Sequence, residues 1–392
     1  MPCRPSFHER RLMDFSLSAE QKERIDRIKV AAQRLPAPGI VDEELKRSHR
    51  DTWKNLGTVG LLGAAVPEEH GGQGLGALDT ALLYEGASDG GADTGLLFAA
   101  AAHLFACVMP VLEFALPQTR KTLLPTLCSG ELTAGNAMTE PDAGSDVSLL
   151  ATTATRVDGG YLLDGVKSFV SNGPVADVYV TYATTDPDGG YFGTTAFAVD
   201  RDSPGLFAGE PLRKSALASC QAGEVRFVRC FVPDDRVLGR PGQGQVVFRT
   251  SMRWERSCLF AIYLGQQERL IRRCLQHVRQ RRQFGKRLAD LQPVADRLAD
   301  MRLRLESGRL LLYRACTEID AGQDPDLWVA LAKLAVSEAA VATSLDTARL
   351  FGGQAFLAKS GIEEEVRDAA PATTFSGTSA IQRQLIAREM GL

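Results

Sequence analysis

The amino-acid sequence predicts an α+β protein in three consecutive blocks: helical, then antiparallel β, then helical again. Two observations carry that prediction. The hydrophobic period is helical up to about Leu132, becomes two from about Thr133 to Val237, and turns helical again after Pro241–Gly242. Turn-forming clusters follow the same division, since DGG, SNGP, DPDGG and DSPG all fall in the middle block. The expected domains are therefore 13–132, 133–237 and 238–392. They follow a 1–12 extension, MPCRPSFHERRL, expected to be frayed and disordered.

The first helix is expected in SAEQKERIDRIKVAAQRL, with Ser18 as N-cap and Gln21 at the capping-box position. ELKRSHRDTWKNLGTVGLL supplies a second, and PEEHGGQGLG a turn-rich link. The Ala-rich stretch GLLFAAAAHLFACVMPVL comes next. It holds His103 and Pro110 and is read as a buried helix, not a membrane span. TTATRV, GYLLDG, DVYVTYAT, TTAFAVD and GEVRFVRCFV are short strands rich in Val, Thr and Tyr. The last block opens with a helix from about Gly244 to Arg279, on which Phe248, Met252, Leu259 and Ile262 recur at helical spacing.

Composition narrows the function. The chain has 392 residues, 44% hydrophobic and 24% charged, with a net charge of −3, so it lacks the basic excess of a nucleic-acid binder. A local basic run, RQRRQFGKR, suits a phosphorylated cofactor. Eight cysteines are scattered without a C-x-x-C pair, which argues against a metal site and for free thiols in a reducing cytoplasm. The N-terminus has charge but no apolar h-region, so no secretion signal is expected.

Chemistry is carried by a set of segments taken together. AMTEPDAGSDVS (137–148) is followed by DGVKSFVSNGPVADVYV, by RQFGK at 282–286 with Arg281 ahead of it, by Gln292, and by FGGQAF at 351–356. The tail runs Arg367–Asp368 to Phe375–Ser376–Gly377–Thr378–Ser379 and on to IQRQLIARE. In this order and spacing the set resembles the acyl-CoA dehydrogenase family over residues 13–392. No G-x-G-x-x-G follows any strand.

The resemblance implies an N-terminal helical domain, a middle β-domain and a C-terminal four-helix bundle, with FAD between the last two, assembled as a homodimer or homotetramer. Met138, Thr139 and Ser145 match flavin- and substrate-side positions. Phe169 stands for a family tryptophan beside the isoalloxazine, and Ser171 for a threonine near N5. An aromatic face and a donor make physical sense there. Arg281 matches the arginine that contacts the FAD pyrophosphate, often from the neighbouring subunit, accompanied by Gln283, Phe284 and Gln292. Gly352 and Gly353 allow a close backbone approach to phosphate, and Thr378 matches a further FAD contact.

One position departs from the pattern. Many members carry a glutamate where this chain has Ser376, and a seryl hydroxyl cannot act as a base near neutral pH. Glu255, however, falls on the apolar stripe between Met252 and Leu259, where a carboxylate is costly unless it has a task or a partner. WERS (254–257) resembles the place from which isovaleryl-CoA dehydrogenase and the long-chain enzymes supply their base. Glu255 is thus the expected base, Arg256 lies near the thioester arm, and the Ser376 backbone N–H keeps its contact to the thioester carbonyl. The rival reading pairs Glu255 with Arg253 or another arginine as a structural ion pair.

The expected activity is FAD-dependent α,β-dehydrogenation of an acyl thioester to the trans-2-enoyl thioester. Arg253 stands where relatives keep an aspartate, and Leu217 where they keep an arginine, so a phosphopantetheinyl carrier protein competes with CoA as the acyl carrier. Electron transfer flavoprotein or oxygen would be the oxidant. An oxygen-using acyl hydroxylase or oxidase, and an inactive FAD-binding homologue, are the alternatives.

Overall fold

The computed structural model describes residues 16–35 and 44–392, so the reading of 1–12 as an extension lies outside the described residues. Helix α1 (Ala19–Ala32) starts as expected: the Ser18 hydroxyl accepts from the Gln21 N–H, and the Gln21 side-chain oxygen accepts from the Ser18 N–H. Then come α2 (Glu44–Thr58), α3 (Ala77–Asp89) and α4 (Thr94–His103), capped by Asp93. A wider π-turn over Leu104–Val108 joins α4 to α5 (Met109–Phe114), and α6 (Pro117–Ser129) closes the block. Thr94–Phe114 and Asp326–Phe356 are both long and apolar enough to cross a bilayer, but the most apolar windows are 89% and 56% buried within the protein. The Ala-rich stretch is therefore a core helix, as read from its sequence.

Strands β1 (Ala134–Ala137), β2 (Thr153–Val157), β3 (Gly160–Ser171), β4 (Val178–Thr184), β5 (Thr194–Asp200), β6 (Leu206–Ala208), β7 (Ala222–Pro233) and β8 (Val237–Leu238) form one eight-stranded sheet. Its order is β6-β7-β3-β1-β4-β5-β8, with β2 alongside β3 and β4. Most pairs are antiparallel, as the short turns require. The exceptions both involve β4. Strand β2 meets it in parallel, with Thr153 opposite Thr184. Strand β1 runs parallel to it with Ala134 opposite Val178, because β1 enters straight from the helical block and slots between two later strands. Strand β3 loses register twice against β7, and the second irregularity, between Lys167 and Val170, holds Phe169.

The last block is a bundle. Helix α7 (Gly244–Trp254), a second π-turn at Glu255–Leu259 and α8 (Ala261–Gln280) form one continuous column. A small hairpin, β9 (Arg282–Gln283) and β10 (Lys286–Arg287), precedes α9 (Gln292–Asp320), α10 (Asp326–Phe351), α11 (Ile362–Ala369) and α12 (Ser379–Glu389). Buried polar groups tie the blocks together. His103 is pushed down to about 3 by burial; as a neutral ring it donates from Nε2 to the Leu127 carbonyl and accepts the Ala134 N–H at Nδ1. Glu85 on α3 takes Arg309 and the Tyr313 hydroxyl of α9, each at 2.7 Å.

Asp368 ties the tail to the β6–β7 connection by accepting the Leu217 N–H at 2.6 Å. Burial, reinforced by the fields of Asp93, Glu364 and Glu365, raises this carboxyl to about 7 against the pull of that bond. An unfolded aspartate titrates near ~3.9. The folded state therefore holds a proton that the unfolded chain releases, and this group's contribution to stability falls as pH rises from about 4 through 7. Asp368→Asn keeps an acceptor for Leu217 and removes the titration. Melting temperatures at pH 5 and pH 7.5 should accordingly lie closer together in the variant than in the natural protein.

Candidate active site

The column α7–α8 carries Glu255 into the centre of the protein. Its π-turn widens the backbone at that residue, and such single turns are frequent at functional sites. The matching π-turn at Leu104–Val108 packs against it, with Phe105 stacked on Trp254 at 6.4 Å between ring centroids. Glu255 is buried, and one carboxylate oxygen, Oε1, accepts from the Ser376 hydroxyl. The other, Oε2, is buried without a hydrogen-bond partner among the described residues. Burial raises the proton affinity of Glu255 above the usual carboxylate range, while the Ser376 bond and the charge of Arg256 oppose the rise.

The structural ion-pair reading finds no support in this geometry. Arg253 turns away from Glu255, to Asp326 at 2.7 Å and Asp324 at 2.9 Å. Arg256 donates from Nε to the Ser376 carbonyl at 2.8 Å. The Ser376 N–H has no acceptor among the described residues. Thr378 caps α12, accepting the Ile381 N–H at 3.2 Å. Next to Ser376 in the chain, Phe375 packs among Phe98, Phe260 and Tyr263, at 4.7, 5.3 and 6.3 Å between centroids. Arg249, Arg253 and Arg256 line a groove, with Asp326 and Arg388, that opens to the surface.

The β-domain presents a second group of predicted residues. Phe169 sits at φ +54° with its ring 70% exposed, a conformation rare for a non-glycine residue and concentrated at ligand sites. Ser168 N–H bonds the Thr139 carbonyl at 2.8 Å, so the bulge and the Thr139 loop are one unit. Met138 is buried, Ser171 half-buried, and Ser145 exposed in that loop. Lys167 and Glu140 anchor it from below as a buried ion pair at 2.7 Å.

A third group forms at the far end of α8. Arg281, Gln283, Gly352 and Gly353 line one hollow with Phe351 and His277. Arg281 has no ion-pair partner among the described residues, and Gly352 has φ +59° with open space where a side chain would stand. Phe284, at the hairpin tip, is 90% exposed, and Gln292 is exposed at the start of α9, donating to Asp296. These two lie outside the hollow's lining.

An exposed aromatic platform, an arginine free of carboxylates and glycine backbone open to approach are what a flavin ring and a pyrophosphate need, so the residues fit FAD. Sequence reasoning missed several neighbours of Glu255. Cys107 and Tyr182 are buried within reach of its field, and Gln382 bonds the Ser376 and Gly377 carbonyls at 3.3 and 3.1 Å. No local pattern marks them.

Comparison with known proteins completes the picture. Sequence models of the acyl-CoA dehydrogenase N-terminal, middle and C-terminal domains match residues 18–131, 135–230 and 242–391. An L-prolyl-[peptidyl-carrier protein] dehydrogenase of Pseudomonas fluorescens is 50% identical over 382 residues, covering 97% of this chain and 100% of that one. The solved structure of PigA with FAD and proline superposes with a TM-score of 0.92 at 39% identity, over 97% of this chain and 100% of PigA. The prolyl acyl carrier protein oxidase AnaB gives 0.91 at 35%, over 96% and 100%. The chain belongs to the acyl-CoA dehydrogenase family and is an FAD-dependent oxidoreductase of that fold.

Proposed function

We propose that the chain dehydrogenates the Cα–Cβ bond of an L-prolyl group held as a thioester on the phosphopantetheine arm of a peptidyl-carrier protein, with Glu255 as the base. One observation carries this reading: a buried carboxylate with one oxygen held by Ser376 and the other bare. Bound FAD supplies the acceptor for the β-hydrogen and its electron pair. The chain's own residues do the rest. The free N–H of Ser376 is placed to donate to the thioester carbonyl, which acidifies the α-C–H by stabilising enolate-like charge. Glu255 Oε2 then takes the α-proton.

The prolyl specificity comes from the relatives' names, and two features of this chain suit it. The cluster of Phe98, Phe260, Tyr263 and Phe375 next to Ser376 in the chain is apolar and suits a small hydrocarbon ring. In the groove, Asp326 and Asp324 already occupy Arg249 and Arg253. That partial neutralisation favours the single phosphodiester of a carrier arm over a nucleotide with several phosphates.

The proposal extends to setting. Phe284 and the arginine hollow suit a second copy of the chain, as homodimer or homotetramer, completing the FAD site. The seven cysteines described are buried and unpaired, which suits a reducing cytoplasm. AnaB's name, an oxidase, favours oxygen over electron transfer flavoprotein as the oxidant. Anaerobic bleaching of the flavin by a panel of thioesters tests the core of the reading. L-Prolyl carrier thioester should bleach it at least about tenfold faster than prolyl-CoA, in line with a modest loss of binding interactions. Faster bleaching by a long-chain acyl-CoA would overturn it.

A further inference from the structure

We infer that the Ser376 hydroxyl is a positioning residue: it holds Glu255 by one oxygen, so that the other alone faces the substrate. The inference rests on the proposed role of Glu255 as base and adds a task for the side chain that stands in place of the family's glutamate.

Four observations support it. The hydroxyl donates to Glu255 Oε1 while Oε2 stays buried and unpartnered, so the carboxylate is oriented and asymmetric. Ser376 adopts φ +54°, a conformation that is strained for a non-glycine residue and persists only where its surroundings enforce it. Those surroundings are present. Arg256 and Gln382 grip its carbonyl from one side, and Phe375 is wedged among three rings on the other. Finally, Gly377 follows at φ +88°, and a side chain there would press on Gln382 at 2.8 Å and Arg256 at 3.3 Å, so the turn is packed closely against both.

The physical benefit is twofold. An anchored carboxylate loses less rotational freedom when the proton is transferred, which is how positioning accelerates a step. A hydroxyl donor also favours the charged form, opposing the rise in proton affinity that burial imposes on Glu255.

A glycine at this position is the sharpest test, because Ser376→Gly removes the hydroxyl and relieves the strain at once. The variant should reduce its flavin about 10- to 100-fold more slowly at neutral pH, the worth of one hydrogen bond to a charged group. Its acid limb should move to higher pH. The ionisation of Glu255 in the resting enzyme, read as the infrared carboxyl difference against Glu255→Gln, should move with it. Ser376→Ala, which lacks the hydroxyl but keeps a Cβ at the same backbone angle, should be as slow as the glycine variant, with KM little changed throughout. An unshifted pH profile and unshifted carboxyl ionisation in Ser376→Gly would overturn the inference, as would an alanine variant as fast as the natural protein. If Glu255→Gln itself still bleaches at the natural rate, the base assignment falls instead, and the two failures are told apart.

Discussion

Glu255→Gln should slow substrate-driven flavin reduction by roughly 10²- to 10⁴-fold, the worth of a positioned general base. Stopped-flow bleaching under anaerobic conditions measures it. The glutamine is isosteric and its oxygen can still accept from Ser376, so FAD content should be unchanged and the defect confined to proton removal. Stability should move the other way. The natural carboxylate is buried, with a single hydroxyl as hydrogen-bond partner, and an uncharged amide is cheaper to desolvate. The melting temperature should hold or rise, the expected exchange between activity and stability at such a site.

The pH dependence follows from the same burial. Because the folded proton affinity is raised, the natural enzyme's rate should climb with pH through a limb above the usual carboxylate range, as Glu255 loses its proton. The folded protein holds that proton when the unfolded chain, titrating near ~4.3, has released it. Stability from this group therefore declines as pH rises from there through the folded value, and the glutamine variant should show a flatter profile. A glutamine variant within tenfold of the natural rate would remove Glu255 from the mechanism.

Much of this site was legible in the sequence because it rests on spacing along single elements. The stripe Phe248–Met252–Glu255–Leu259–Ile262 placed the carboxylate on the inner face of α7 and α8, where it is found. Ser18 and Gln21 announced the first helix. The π-turn at Glu255–Leu259 was not legible. Every residue from Ser257 to Gln267 is buried, so no polar face remains to report the extra residue in the turn. The parallel pairing of β1 was hidden for a different reason. Its sequence, AGNA, has no β-branched residue, and its partners lie far along the chain. Cys107 and Tyr182 reach Glu255 from the other two blocks, and only the packing of blocks brings them there. The left-handed backbone at Phe169 and Ser376 likewise carries no glycine to signal it.

Lys167→Met is the second large effect, expected to cost about 3–5 kcal/mol because it leaves a buried carboxylate alone. Lys167 is fully buried, and its ammonium donates to Glu140 Oε1 at 2.7 Å, to the Tyr182 carbonyl at 2.7 Å and to the Met138 carbonyl at 3.3 Å. Glu140 in turn accepts the Ala151 N–H at 2.6 Å and the Thr152 N–H at 3.1 Å. One cation and one anion thus close the loop that carries Thr139 and Ser145, and fasten it to β3 two residues before Phe169. Removing the cation should lower the denaturation midpoint and, by loosening that loop, the temperature at which FAD is released. The paired change Lys167→Met with Glu140→Gln removes both charges and leaves an oxygen for the two backbone donors, so it should recover part of the loss. A double variant no better than Lys167→Met would mean that packing around the lysine stem, and not the stranded charge, dominates the cost.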